Sequence, residues 1–231
     1  MKPNRKTASL TPKAVDTEVK LQPSQARAQD TFELVLEATG RLLEEVGFER
    51  LSTNMICQRA GLTPPALYRY FPNKYAVLRE LGERLMRLQD DAFLAWIENG
   101  GLQSKNAEDA IARNTALQNQ IIDITRRFPG NISIMRALRA IPVLRSVRLT
   151  SRDMVAKRLA DAMAELYPEA PRARFDYMTR LTTELGYAAT EMVLEEPDRD
   201  AEEITEEVSR LIVYYYQNAG VDASISTLQH Q

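Results

Sequence analysis

Side chains that commonly perform catalysis are scarce in this sequence. Its 231 residues include one cysteine, Cys57, and one histidine, His230. Zinc sites need several thiolate, imidazole or carboxylate ligands, and activated nucleophiles need a well-positioned base. No phosphate-binding glycine motif and no calcium-loop spacing occurs either. The sequence therefore predicts no catalytic residues, no metal site and no cofactor.

An enzyme of the helical-bundle class stays open as an alternative, because three acids fall on one predicted helix. They are Glu184, Glu191 and Glu195. Paired carboxylates can act as general acid and base. A solvated helix face explains the same spacing more simply.

The charge of the chain is unevenly distributed along it. Residues 1–79 carry 12 basic and 8 acidic side chains, whereas residues 80–231 carry 18 and 24. Between Arg50 and Arg79 there are five basic residues and no acid. A basic end on an acidic body favours an anionic partner at that end, although a solvated face could carry the same charges.

The hydrophobic pattern predicts helices and no strands. Apolar residues recur at steps of three and four, and Gly, Pro and capping residues divide the chain into segments. One such seam contains Leu78, Leu81, Leu85, Leu88 and Ala92. The sequence predicts an all-α fold of about nine helices, which cover residues 24–46, 53–60, 64–71, 74–98, 106–127, 131–140, 143–166, 172–195 and 200–217.

Two of the short helices form a helix-turn-helix pattern, in which a bracing helix places a second helix in the DNA major groove. Their predicted common core is Ile56, Ala60, Leu62, Leu67 and Phe71. That core leaves the start and outer face of the second helix free for contact with DNA.

The motifs of this segment are more specific than a bare helix-turn-helix. They are Gly47-Phe48, Thr53-x-x-Ile56, Ala60-Gly61-Leu62-Thr63, the run from Leu67 to Lys74, and Leu78. Together they resemble the N-terminal signature of the tetracycline-repressor (TetR) family over about residues 28–80. Cys57 and Pro65 depart from the residues that are commonest in that family.

The resemblance implies a homodimeric, ligand-responsive transcriptional regulator, usually a repressor, that binds a palindromic double-stranded DNA operator. The positions that match phosphate contacts of the family are Thr53, Thr63, Tyr68, Tyr70 and Lys74, and those that match base contacts are Pro64, Pro65, Ala66 and Arg69. Hydroxyl groups and Lys suit phosphate oxygens, whereas Arg can bind guanine bidentately. Tyr68 and Tyr70 could instead be aromatics at the edge of the core, and Arg69 could be solvated or bind the backbone.

The predicted organisation has three parts. Residues 1–23 are expected to be a disordered basic arm, 24–72 a helix-turn-helix DNA-binding domain, and 73–231 a helical ligand-binding and dimerisation domain joined to it by a long fourth helix. No apolar run is long enough to span a bilayer, and no signal peptide is predicted. The expected compartment is the cytoplasm.

The last two predicted helices carry narrow apolar seams of period near 3.5, which suit helix-on-helix packing. An ordinary intrachain pair would produce such seams too. The sharper hypothesis is a four-helix dimer interface built from Met178, Leu181, Leu185, Ala188, Met192, Ile204, Val208, Leu211 and Tyr215.

A ligand site is expected in the body of the chain. Residues 124–152 contain seven Arg and no acid, while residues 191–207 contain nine acids and one Arg. The two groups could simply pair or be solvated. Alternatively, Arg136 or Arg139 holds the anionic end of a mostly apolar effector of unknown identity, with walls formed by Phe93, Trp96, Ile121, Ile124, Phe128, Met135, Met154, Phe175 and Met178.

A third class of function is a helical adaptor that binds other proteins through its Leu-rich faces and does not bind DNA.

Overall fold

The computed structural model describes residues 15–23 and 26–218. In these residues the chain forms nine α-helices, a short 3-10 turn at Pro142–Leu144 and no β-strand. The helices are α1 (Ala26–Arg50), α2 (Thr53–Ala60), α3 (Pro64–Tyr68), α4 (Lys74–Glu98), α5 (Ala107–Arg127), α6 (Asn131–Ala140), α7 (Arg145–Leu166), α8 (Arg172–Glu195) and α9 (Ala201–Asn218). The predicted all-α fold is confirmed. None of these helices is long and apolar enough to cross a membrane.

The head of the molecule consists of α1, α2 and α3, and two glycines set its turns. Gly47 has φ +71° and ψ 171°, a conformation open essentially to glycine, and it interrupts α1 near its end. Gly61 ends α2 in the left-handed conformation, and its N–H group bonds back to the helix. Helix α3 ends at Tyr68, three residues earlier than predicted. Pro72 disfavours helical geometry at Phe71, so the chain turns before it.

The prediction of a disordered arm is wrong for residues 15–23, which pack against the head; residues 1–14 lie outside the described part of the chain. The backbone N–H of Lys20 donates to the carbonyl of Tyr70 at 2.8 Å, and the Asn73 amide donates to the carbonyl of Asp16 at 2.6 Å. Thr17 is buried and accepts a hydrogen bond from Arg79. Hydrogen bonds made by its backbone and one buried side chain therefore anchor this segment.

A single hydrophobic core joins the head to the body. It includes Phe32 and Val35 of α1, Ile56 of α2, Leu81 of α4 and Leu138 of α6. The turn between α5 and α6 lies on α1: the N–H of Gly130 donates to Glu44 at 2.8 Å and the hydroxyl of Ser133 donates to the Leu43 carbonyl at 3.1 Å.

The body contains a second, smaller core and a cavity between helices. Leu159, Met163 and Phe175 form the centre of this second core. On α4 the predicted seam is wrong at Leu88, which is 47% exposed, whereas its neighbour Gln89 is buried. At Gln89 the inward face of α4 is therefore polar, whereas farther along Ala92 is buried and Phe93 packs against the second core.

Candidate nucleic-acid interface and ligand cavity

The N-terminus of α3 presents its side chains to solvent. Thr63, Pro64 and Pro65 are exposed, while Leu67 is fully buried in the core behind them. Prolines suit the first turn of a helix because the N–H groups there have no partner within the helix. The start of α3 is thus a rigid, protruding edge, and Ala66 is only partly covered.

Tyr68 and Thr53 connect α3 to the start of α2. Their hydroxyl groups lie 3.0 Å apart, and the Tyr68 side chain is 41% exposed. The N-terminus of α2 is close by, because Ser52 caps it by accepting from the N–H of Met55. Two of the predicted phosphate-binding hydroxyls therefore lie side by side on the same surface.

Tyr70 does not belong to that surface, so its predicted phosphate contact is wrong. It is 3% exposed, and its ring lies edge-on to Phe32 with centroids 5.8 Å apart. Tyr70 is instead an aromatic of the head's core, the alternative that the sequence left open.

Lys74 is used within the chain. Its ammonium group donates to the carbonyl oxygens of Phe48 at 3.1 Å, Glu49 at 3.4 Å and Leu51 at 2.8 Å. An ammonium has three N–H donors, and all three are engaged here. The structure therefore corrects the predicted phosphate contact: Lys74 ties the end of α1 to the start of α4.

Arg69 differs from the other basic side chains between residues 50 and 79. Arg59 pairs bidentately with Glu45 and Arg79 pairs with Glu18 and Glu83, while Arg50 bonds the carbonyl of Val46. Among the described residues Arg69 has neither a hydrogen-bonded nor an ion-paired side-chain partner. Its guanidinium lies 5.7 Å from the Tyr70 ring centroid and is free to take a ligand.

Sequence analysis did not identify Lys20, because it falls in the segment expected to be disordered. Its ammonium group donates to the carbonyl of Tyr68 at 3.2 Å, and the residue is exposed. It adds a positive charge at the C-terminal end of α3.

The body of the chain encloses a partly open cavity of about 140 Å³ between five helices. Each helix contributes one face at helical spacing. The lining residues are Gln89, Asp90, Phe93 and Trp96 of α4; Ala110, Asn114, Gln118 and Ile121 of α5; Val155, Leu159 and Met163 of α7; Thr182, Thr183, Gly186, Tyr187 and Thr190 of α8; Ile212, Val213 and Tyr216 of α9; and Gly101, Leu102, Ser104 and Tyr167 from the connections.

The predicted ligand residues divide into two groups. Phe93, Trp96 and Ile121 line the cavity. Met135, Phe175 and Met178 are buried in the chain away from its wall, and the remaining apolar candidates are partly exposed residues that do not line it either, namely Ile124, Phe128 and Met154.

The predicted anion-binding arginines are also displaced from the cavity. Arg136 pairs with Glu195 at 2.9 Å, and Arg139 pairs with Glu191 at 2.8 Å, both on the outer side of the bundle. The simpler expectation, that the basic and acidic groups pair, describes this surface. An anion held by either arginine is not supported.

The acids considered for an enzyme are all engaged in ion pairs. Glu184 pairs with Arg148 and Arg152, so its pKa is lowered even though burial opposes ionisation. A general acid needs the opposite shift. In the described part of the chain, no group of three or more His, Cys, Asp or Glu side chains could hold a metal ion.

Asp90 is an acidic residue of the cavity wall that sequence analysis did not identify as functional. Burial raises its pKa to about 6, despite a hydrogen bond from the hydroxyl of Ser151 at 2.6 Å. Ser151 also lies 2.8 Å from the hydroxyl of Tyr187, another cavity residue. Only the tertiary arrangement of α4, α7 and α8 reveals this group.

The predicted dimer seams of α8 and α9 are mostly left uncovered by the described residues. Leu181, Ala188, Met192, Leu211 and Tyr215 are exposed, and Leu185, Ile204 and Val208 are partly exposed. Met178 is wrongly assigned to this seam, because it is buried within its own chain.

Comparison with known proteins finds similarity to bacterial transcriptional regulators both in sequence and in fold. Residues 35–81 match the sequence model described as "Bacterial regulatory proteins, tetR family". The tetracycline repressor protein class C of Escherichia coli is 39% identical over 56 residues, which are 24% of this chain and 26% of that protein. Other curated relatives are matched over about half of their length.

Two further similarities extend over most of the chain. The HTH-type transcriptional regulator UidR of Escherichia coli is 25% identical over 195 residues, which are 80% of this chain and 89% of that protein. A crystal structure of a tetR-family transcriptional regulator from Streptomyces coelicolor superposes with a TM-score of 0.61 at 17% identity, covering 86% of this chain and 87% of that one. The latter similarity concerns the fold alone.

Proposed function

Since the chain is a TetR-family transcriptional regulator with a helix-turn-helix DNA-binding domain, we propose that it is a ligand-responsive repressor that binds a palindromic operator as a homodimer. The observation that carries the proposal is the exposed edge of α3, beside which the Arg69 side chain has no hydrogen-bonded or ion-paired partner among the described residues. We assign residues 24–72 to the DNA-binding domain and 73–231 to the ligand-binding and dimerisation domain.

In this proposal α3 enters the major groove, with Pro64, Pro65, Ala66 and Arg69 facing bases. Arg can donate bidentately to guanine, and small apolar side chains pack on thymine methyl groups. Thr53, Thr63 and Tyr68 hold phosphates beside it, and Lys20 adds a further phosphate contact. Since double-stranded DNA is the partner, we place the protein in the cytoplasm.

Dimerisation through α8 and α9 would cover apolar side chains that now face solvent. The exposed large apolar residues of these two helices are Tyr177, Leu181, Met192, Leu211, Tyr214 and Tyr215. Clustered exposed apolar residues are typical of interaction surfaces, and a two-fold axis makes one such patch complementary to itself.

The effector would act through α4 and the turn between α5 and α6. Helix α4 begins at Lys74 in the head and reaches the cavity at Gln89. The turn contacts α1 so closely that a Cβ atom at Gly40 would lie 2.5 Å from the Cβ of Pro129. An effector weakens DNA binding only if it binds the DNA-releasing conformation more tightly than the DNA-binding conformation. Tenfold weakening needs a difference of about 1.4 kcal/mol between the two binding free energies.

The experiment that tests the proposal is selection of bound sequences from a random double-stranded DNA pool. The expected product is a palindrome whose half-sites are separated by about one helical turn. Recovery of no enriched sequence at low salt would contradict the proposal and favour the helical adaptor.

A further inference from the structure

The polar part of the cavity wall carries an acidic side chain and no basic one among the described residues. The lining contains a carboxylate, three amide side chains and several hydroxyls, but none of the described residues that line it is Lys, Arg or His. A negatively charged group would meet Asp90 there without a compensating cation. A ligand with hydrogen-bond donors or a positive charge would meet acceptors.

Asp90 has no basic partner in the part of the chain that the structure describes. No ion pair among the described residues includes it, although many other acids of the body are paired. Its carboxylate accepts from Ser151 and is partly buried. Burying a carboxylate without a cation is costly, and such groups concentrate at functional sites.

Gln89 presents a second unsatisfied acceptor, and its orientation follows from its neighbours. The hydroxyl of Thr125 donates to the Ile121 carbonyl at 2.7 Å, so it can only accept from Gln89, whose Nε2 lies 2.7 Å away. The Oε1 atom of Gln89 must therefore point elsewhere, and it makes no hydrogen bond with the described residues. Gln89 is 3% exposed, which makes an unpaired acceptor unfavourable.

Gln118 repeats this arrangement on α5. It is buried, it lines the same cavity, and its Oε1 atom also has no partner among the described residues. Glycine at position 186 leaves room for it, because a Cβ atom there would lie 3.1 Å from Nε2 of Gln118. Two helices thus bring buried, unpaired acceptors to residues that line one cavity.

The remaining wall is apolar and aromatic. The rings of Phe93 and Trp96 have centroids 5.8 Å apart, and Trp96 lies so close to Gly101 that a Cβ atom there would be 2.2 Å from the indole. Aromatic faces attract cations as well as apolar groups. The volume of about 140 Å³ resembles the roughly 150 Å³ of a cavity that accepts benzene.

We propose that the cavity binds a small organic amine, with its ammonium group held by Asp90, Gln89 and Gln118 and an apolar body the size of one aromatic ring packed on Phe93 and Trp96. The inference rests on the proposed ligand response and names the chemical class of the effector. It replaces the anionic effector that the arginine-rich sequence suggested.

The test compares three probes that share a phenylethyl body, on the full-length protein without DNA at pH 8: 2-phenylethylamine, 2-phenylethanol and 3-phenylpropionate. Binding is followed by calorimetry and by the emission of Trp96, the single tryptophan. The amine is expected to bind at least about tenfold more tightly than the alcohol, as charge-assisted hydrogen bonds predict, and the carboxylate is expected to bind most weakly.

Asp90→Asn keeps the shape of the side chain and should abolish the preference for the amine over the alcohol. Asp91→Asn, at an exposed position on the same helix, is the matched control and should keep that preference. Equal or tighter binding of the carboxylate, no binding of the amine, or an unchanged preference in Asp90→Asn would overturn the proposal. If the amine binds without releasing DNA, the proposed amine site stands, and the proposed ligand response is contradicted instead.

Discussion

The ammonium group of Lys74, at the first position of α4, donates to the carbonyl oxygen of Leu51, just before α2, at 2.8 Å. The same group bonds two carbonyls at the end of α1. One side chain thus joins the two helices that precede the recognition helix to the helix that reaches the cavity.

Lys74→Met should therefore lower the free energy of unfolding and leave the phosphate contacts of the protein unchanged. A hydrogen bond from a charged donor contributes about 1.5–3 kcal/mol, and water can solvate part of this half-buried site, so we expect the free energy of unfolding to fall by about that amount in urea. The salt dependence of DNA binding should keep its slope. A slope lowered by about one at unchanged stability would restore Lys74 as a phosphate contact.

Arg69→Ala should relax base preference, because the exposed Arg69 side chain has no hydrogen-bonded or ion-paired partner among the described residues. We expect a loss of about 1–3 kcal/mol on the selected operator and a much smaller loss on random duplex.

Tyr68→Phe is the matched contrast to Arg69→Ala. It removes only the hydroxyl beside Thr53 and should weaken binding equally on the selected and random duplexes. Equal losses on both duplexes for Arg69→Ala would instead reassign Arg69 to the DNA backbone.

Leu211→Glu should separate the proposed dimer, since Leu211 is 59% exposed at the centre of the α9 seam. Charge buried in an apolar interface is strongly unfavourable. Sedimentation should show monomers, with operator affinity lost. Leu88→Glu, at an exposed leucine of α4 outside the seam, should remain dimeric; a dimer that survives Leu211→Glu would place the interface elsewhere.

Asp90 should make stability depend on pH in a definite direction. Its pKa is about 6 in the folded protein against 3.8 as the ordinary value, so the folded state holds the proton more tightly. The free energy of unfolding therefore falls as pH rises from about 4 to 6 and is constant above that range, as far as this group is concerned.

Asp90→Asn removes the free-energy cost of holding an ionised carboxylate at this partly buried position. The substitution should stabilise the protein at pH 7.5, and the gain should shrink towards zero near pH 4. Urea denaturation across this range measures it. A gain independent of pH would show that ionisation of Asp90 carries no such penalty.

Much of the fold follows from local sequence. Gly61, Pro64 and the cap residue Ser52 define α2 and the start of α3 because glycine, proline and hydroxyl side chains have strong positional preferences. The apolar seams of α8 and α9 were also visible in the sequence, but their exposure was not, because an intrachain helix pair would have the same apolar period.

The cavity was only partly predictable. Phe93, Trp96 and Ile121 were identified by type and spacing, but Asp90 and Gln89 were not, because a polar residue at the inward face of a helix resembles a surface residue in sequence. Arg136 and Arg139 were misassigned for a related reason. Their partners Glu195 and Glu191 are more than 50 residues away and meet them only in the folded chain.

The central claim, that a dimer places two recognition helices in successive major grooves, is tested most directly by one affinity comparison. The selected operator is compared with a duplex of equal length in which one half-site is scrambled. We predict that scrambling one half-site reduces affinity to near the level of random DNA, because half of the base contacts of a rigid dimer are lost at once. Equal affinity for the intact and half-scrambled duplexes would contradict the claim.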